Sequence, residues 1–272
     1  MSGQPKTQNM AVFCDFENVA LGVRDAKNAE FDIRKVLERL LLKGNIVVKK
    51  AYCDWERYKE FKKVMHEAAF ELIEIPHVRQ SGKNSADIRM VVDALDLCYT
   101  KAHVDTFVVI SGDSDFSALV SKLRENNKVV IGVGVKQSTS DLLISNCDEF
   151  IFYDDLVREA GRQRRGTRKT VAAKAVRSKA GPQDEDEKKQ AGLDLVLETV
   201  ADLFEERGEE EKVWGSMIKQ ALKRRNPGFN ETYHGFRTFG ELLEEAQARH
   251  LLELEYDEKS GGYIIKSFAH EE

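Results

Sequence analysis

The stretch Ser-Gly-Asp-Ser-Asp (111–115) sets two carboxylates directly behind the apolar run TFVVI (106–110). That run is short and β-branched, and Gly112 bounds it, so it predicts a strand buried on both faces. Asp113 and Asp115 then fall at a strand's carboxyl end, the edge where open α/β sheets bind ligands. Asp15 stands in the same situation, at the end of MAVFC in the stretch CDFEN. Asp87 opens a helix predicted over SADIRMVVDALDLCYTK, after a Gly/Ser/Asn loop that can lie over the same edge. If the first and fourth strands are neighbours, Asp15, Asp87 and Asp113 converge, with Asp115 beside them. Clustered carboxylates repel and raise one another's pKa, so they need a cation to stay ionised. Oxygen-only donors select a hard ion, Mg²⁺ or Mn²⁺, over zinc.

Plainer roles compete for each acid. Asp87 and one of the pair Asp113 and Asp115 have positions suited to helix capping, but one cap leaves the second Asp surplus. A charge directly behind MAVFC is costly unless paired or metal-bound, which sets Asp15 apart. Asp93 lies about 120° around the helix from Asp87, so the two cannot face one ion. Asp96 is on the opposite side. Asp54, Asp141, Asp148, Asp154 and Asp155 read as caps or turn residues. A phosphoacceptor aspartate is the alternative chemistry, with Lys136 as its lysine, although the DFEN context and Asp87 fit it poorly. Lys83, in the loop before Asp87, is placed to hold a phosphate.

The elements that must carry these residues alternate. MAVFCD, NIVVKKAYCD, FELIEIPHV, DTFVVIS, KVVIGVGV and EFIFYD read as strands. DIRKVLERLLLKG, WERYKEFKKVMHEAAF, SADIRMVVDALDLCYTK and DFSALVSKLREN read as helices between them. Such alternation predicts a mostly parallel sheet with helices on both faces. Across 272 residues, 42% hydrophobic content suffices for ordinary cores, and the net charge of −5 argues against a uniformly DNA-coating protein. No apolar run reaches the roughly 18–20 residues of a membrane helix, and MSGQPKTQNM has no signal-peptide core, so the expectation is a soluble, cytoplasmic protein without membrane contact. The four cysteines are far apart, with no zinc-type spacing, and three of them, in or beside apolar strand-like runs, read as small core residues.

Periodicity stops at about residue 158. Residues 158–180 hold nine Lys/Arg against one Glu, and the acidic GPQDEDEKKQ follows, so 158–190 reads as a flexible linker. Its basic part suits sequence-independent phosphate contacts. From 191 to 268 three helices and a β-hairpin around EKSGG describe a winged-helix-like module. Its basic helix, KQALKRRN, offers Lys219, Lys223, Arg224 and Arg225 as a nucleic-acid face, while Tyr233, Phe236 and Phe239 read as core.

AVFCDFENVA, GKNSADIRMVVDAL and VVISGDSDFSALVSKLRENNKVVIGVGV together resemble the NYN family, the LabA-like branch of the PIN-like ribonucleases, over residues 8–157. The segment LVLETVADLF to GGYIIK resembles the OST-HTH or LOTUS domain, a winged-helix module associated with RNA binding. The resemblance implies a three-layer PIN-like domain in which Asp15, Asp87, Asp113 and Asp115 carry the metal site, with Asn18 and Ser111 beside it. It implies a ribonuclease using Mg²⁺ or Mn²⁺ to cleave phosphodiester bonds of single-stranded RNA, aided by a C-terminal RNA-binding module. The alternatives are a non-catalytic RNA-binding adaptor and a LOTUS-like module that binds a protein.

Overall fold

In a computed structural model of the chain, residues 8–26, 31–75, 85–158, 182–207, 212–258 and 260–268 are described. The chain divides into two compact units, Met1–Arg168 and Lys169–Glu272.

The first unit is a six-stranded parallel sheet of order β3-β2-β1-β4-β5-β6. Its strands are β1 (Gln8–Asp15), β2 (Gly44–Cys53), β3 (Glu71–Glu74), β4 (Thr106–Ile110), β5 (Val129–Gly134) and β6 (Glu149–Phe152). The central strands are apolar at nearly every position because both of their faces are covered. All five residues of β4 are buried. Alternate residues of β1 divide between the two faces: Met10, Val12 and Cys14 enter one core and Ala11 and Phe13 the other. The first core takes in Val19 and Val23 of α1 (Phe16–Asp25), Val36 and Leu40 of α2 (Ile33–Leu41) and Met65 of α3 (Lys59–Glu67). The second takes in Met90 and Ala94 of α4 (Ser85–Thr100), Leu119 and Leu123 of α5 (Ser117–Glu125) and Leu143 of α6 (Asp141–Asn146). The result is the expected three-layer α/β/α arrangement. A short helix, α7, follows β6 at residues 153–158.

All six predicted strands are present, although the third, predicted over 70–78, is a strand only over Glu71–Glu74, and residues 76–78 of it lie outside the described residues. Helices α1, α6 and α7 are additional to the expected elements; α1 follows β1 with no intervening turn. The order reverses between β1 and β4, whose register pairs Cys14 with Ile110. One residue beyond that pair on each strand are Asp15 and Ser111.

The second unit comprises α8 (Pro182–Arg207), β7 (Val213–Trp214), α9 (Gly215–Arg225), α10 (Phe239–Ala248), β8 (Leu252–Asp257) and β9 (Gly262–Phe268). Its three strands form an antiparallel sheet of order β7-β9-β8. Leu193, Val196 and Val200 of α8 pack with Ile218, Leu222, Leu242, Leu243 and Ile265. Helix α8 runs back to Pro182, through the acidic stretch that reads as linker in the sequence. Most of the basic run, from residue 159, lies outside the described residues.

Candidate active site

The switch in strand order brings the acids to one edge. Asp15 ends β1, is 7% exposed, and caps α1 by accepting the Asn18 amide at 3.4 Å. Its other oxygen accepts the Ser111 hydroxyl at 2.9 Å. The same hydroxyl oxygen accepts the Asp113 amide at 3.2 Å. Asn18 closes the opposite side: its side-chain oxygen accepts the Gly112 amide at 2.8 Å. Asp113 in turn accepts the Asp115 amide at 3.0 Å and caps the 3-10 turn Ser114–Phe116. Asp87 lies in the first turn of α4, which packs against that turn. Capping roles are therefore real for Asp15 and Asp113. Asp115 is surplus to them, and its exposed carboxylate lines the same cleft as Asp87.

Charge is crowded here. Burial, then Asp87, and to a lesser degree Asp113 push the Asp15 pKa up to about 7, against the opposing hydrogen bonds from Ser111 and Asn18. Burial, then Asp113, Asp115 and Glu17 push Asp87 up to about 6. Glu17 belongs to this neighbourhood, and the sequence reading passes over it although it sits within CDFEN. It is held by Arg57 at 3.2 Å. The donors are all carboxylate oxygens, and their mutual repulsion is what a hard divalent cation relieves. By donor type the residues fit such an ion. Among the described residues no three His, Cys, Asp or Glu side chains stand close enough to share one.

Most of the other acids go where their plainer readings put them; Asp155 does not, being buried within α7 and paired with Arg158 at 2.8 Å rather than capping or lying in a solvated turn. Asp93 accepts the Tyr52 hydroxyl at 2.9 Å and pairs with Lys50 and Arg89. Asp54 accepts the Glu56 amide, Asp148 the Val130 amide and Asp154 the Lys136 amide. The Lys136 ammonium lies 5.7 Å from the centre of the Phe152 ring. Lys83 lies outside the described residues. In the second unit Lys219, Lys223, Arg224 and Arg225 all belong to α9. Lys219 pairs with Glu231 at 2.5 Å, and Arg225 pairs with Asp202. Phe236 and Phe239 are buried as expected.

Six parallel strands lie between two helical layers, with carboxylates gathered where the strand order reverses, the edge at which open α/β domains bind their ligands. The NYN domain family matches residues 9–154, more than half of the chain, and the chain belongs to it. Nucleases of that family are typically metal-dependent. Meiosis regulator and mRNA stability factor 1 is 25% identical over 150 residues in Xenopus tropicalis, covering 55% of this chain and 9% of that protein. Uncharacterized protein MJ0482 of Methanocaldococcus jannaschii is 26% identical over 125 residues, 46% of this chain and 49% of the relative. The chain thus spans under a tenth of the vertebrate relative and about half of the archaeal one. A crystal structure of a protein of unknown function, VPA0982 of Vibrio parahaemolyticus, superposes with a TM-score of 0.50 at 27% identity. It covers 57% of this chain and 98% of the other. Among the described residues no helix is long and apolar enough to cross a membrane.

Proposed function

We propose that the first unit is a metal-dependent ribonuclease that cleaves phosphodiester bonds of single-stranded RNA, and that the second unit is an OST-HTH or LOTUS-like RNA-binding module. The observation that supports the catalytic part is that Asp15 and Asp113 stand at the β1/β4 switch, linked through the Ser111 hydroxyl, with Asp87 near enough to help raise the Asp15 pKa to about 7. Asp15, Asp87, Asp113 and Asp115 would hold Mg²⁺ or Mn²⁺. Such an ion lowers the pKa of water and neutralises charge on a phosphodiester. The chain's own residues supply position. Ser111 orients the Asp15 carboxylate and ties it to the backbone of Asp113, and Asn18 holds the Gly112 amide so that β4 ends at a fixed height above α1. RNA as the substrate is supported by the name of the vertebrate relative, an mRNA stability factor. A single strand fits because, among the described residues, the edge carries no element that would enter a duplex groove.

Asp113→Asn is the sharpest test, because Asn caps a turn as well as Asp does and the change removes charge alone. Incubated with Mg²⁺ or Mn²⁺ and a single-stranded RNA, the wild-type chain should cut and the variant should not, while both melt alike. Cutting by the variant removes Asp113 from the site. Absence of cutting by the wild type, with RNA still bound, would favour the adaptor reading.

A further inference from the structure

Beside the carboxylates, Asp87, Ile88, Val91, Val92, Asp115 and Phe116 line a cleft of about 200 Å³. Helix α4 turns Met90, Ala94 and Cys98 into the core, yet it leaves Ile88 63% and Val92 55% exposed. One exposed aliphatic side chain needs no explanation. Two of them one turn apart, sharing a cleft with two carboxylates of the candidate active site, form a surface that core packing does not account for. Their Cβ atoms are about 5–6 Å apart, as for any i, i+4 pair on a helix, which is the width of a single heterocyclic ring.

We infer that Ile88 and Val92 form a platform for one unpaired nucleobase of the RNA strand, next to the phosphodiester at the carboxylates; this deepens the nuclease reading and rests on it. Three features select a base over other occupants. The aliphatic methyls of Ile88 and Val92 offer a phosphate neither charge nor hydrogen-bond donor, so the part of a nucleotide that lies on them must be its uncharged, flat part. The cleft is smaller than the roughly 300–1,000 Å³ pockets that enclose larger ligands, and it suits one ring. A second protein surface closing over it would cover Asp87 and Asp115 and shut the candidate metal site off from its substrate. A base lying on the methyls leaves the carboxylates at its edge uncovered and free to hold the ion. Because Ile88 and Val92 offer contact without hydrogen bonds, the platform tolerates any base.

The test uses the full-length Asp113→Asn protein with ¹³C-labelled Ile and Val methyl groups and Mg²⁺ present. It is titrated with a uridine hexanucleotide or with a ribose-phosphate chain of equal length that lacks bases. A base over the platform shifts the Ile88 δ1 and Val92 γ methyl resonances upfield through its ring current, and the abasic chain leaves them in place. Ile88→Ser, at an exposed position, should weaken hexanucleotide binding roughly fivefold and abasic binding not at all. Methyl shifts with neither ligand, or equally with both, overturn the proposal. Shifts that follow protein concentration without RNA also overturn it, by assigning the face to a second copy. Cleavage by the wild-type protein is scored separately: cutting without ring-current shifts sinks the platform alone, and shifts without cutting sink the catalytic reading alone.

Discussion

Asp15 ends a strand, caps a helix and faces another carboxylate, and these demands conflict. Its folded-state pKa of about 7 lies above the ordinary aspartate value of 3.8. Between those values the native state binds the extra proton, so without metal the stability falls as pH rises from about 4 to about 7 and stays low above it. Asp15→Asn keeps the shape and removes the buried charge. It should therefore raise stability by about 2–4 kcal/mol at pH 8 and by almost nothing at pH 4, measured by urea unfolding without divalent ions. Lower stability at both pH values would mean that the hydrogen bonds from Ser111 and Asn18 need the carboxylate. Saturating Mn²⁺ should flatten the pH dependence of the wild type, because a bound cation keeps the acids ionised. At this scale the sequence is most informative where a carboxylate follows an apolar run, as at Asp15 and Asp113. Ser111 and Asn18 carry no such signal. A serine and an asparagine at strand and helix ends are ordinary residues, and only the family resemblance separates them from the rest. Glu17 escapes because its part is electrostatic at a distance, which spacing does not encode.

At the level of elements, the loop after β5 is clamped against the end of β4. The Ser140 amide donates to the Gly112 carbonyl at 3.0 Å. A Cβ on Gly112 would come within 2.5 Å of the Ser138 carbonyl oxygen, which is backbone and cannot swing aside. Gly112→Ala should cost about 1–3 kcal/mol of stability and should also cut any activity, since Asp113 moves with the loop. Gly240, in the first turn of α10, gives the opposite sign. The nearest neighbours to a Cβ there are at 3.7 Å, so Gly240→Ala should stabilise by roughly 0.5–1 kcal/mol through helix propensity. Thermal melts of the two variants check both. Helix α1 is hidden in the sequence because Asp15 is the last strand residue and also the cap, with no Gly or Pro to mark the junction. The early start of α8 is hidden for another reason: PQDEDEKKQ has no apolar residue from which to read a period. Its Pro at the first position and acids in the first turn are nonetheless helix-start signals, and they outrank composition there.

At the scale of the whole chain, charge is divided unequally: the net is −5, yet residues 158–180 carry nine Lys/Arg. If that run anchors RNA, deleting it should weaken binding and flatten the dependence of log Kd on log salt by roughly 0.7 for each phosphate that the run would neutralise. Titrations at several salt concentrations decide this, and an unchanged slope would make the run a spacer. Neutralising Lys223 and Arg224 on α9 should lower affinity for preferred RNAs more than for random ones if that helix reads shape, whereas no loss for any RNA favours a protein partner. The four cysteines have a practical consequence. Cys14, Cys53, Cys98 and Cys147 are all buried and reduced, all belong to the first unit, and burial raises each thiol's pKa. The thiolate is the reactive form, so alkylating reagents can reach these residues only when the α/β unit opens. Labelling of the intact, unmodified chain is thus a clock for opening of the first unit alone, blind to the second, and Asp15→Asn should slow it at pH 8 in proportion to the stability it adds.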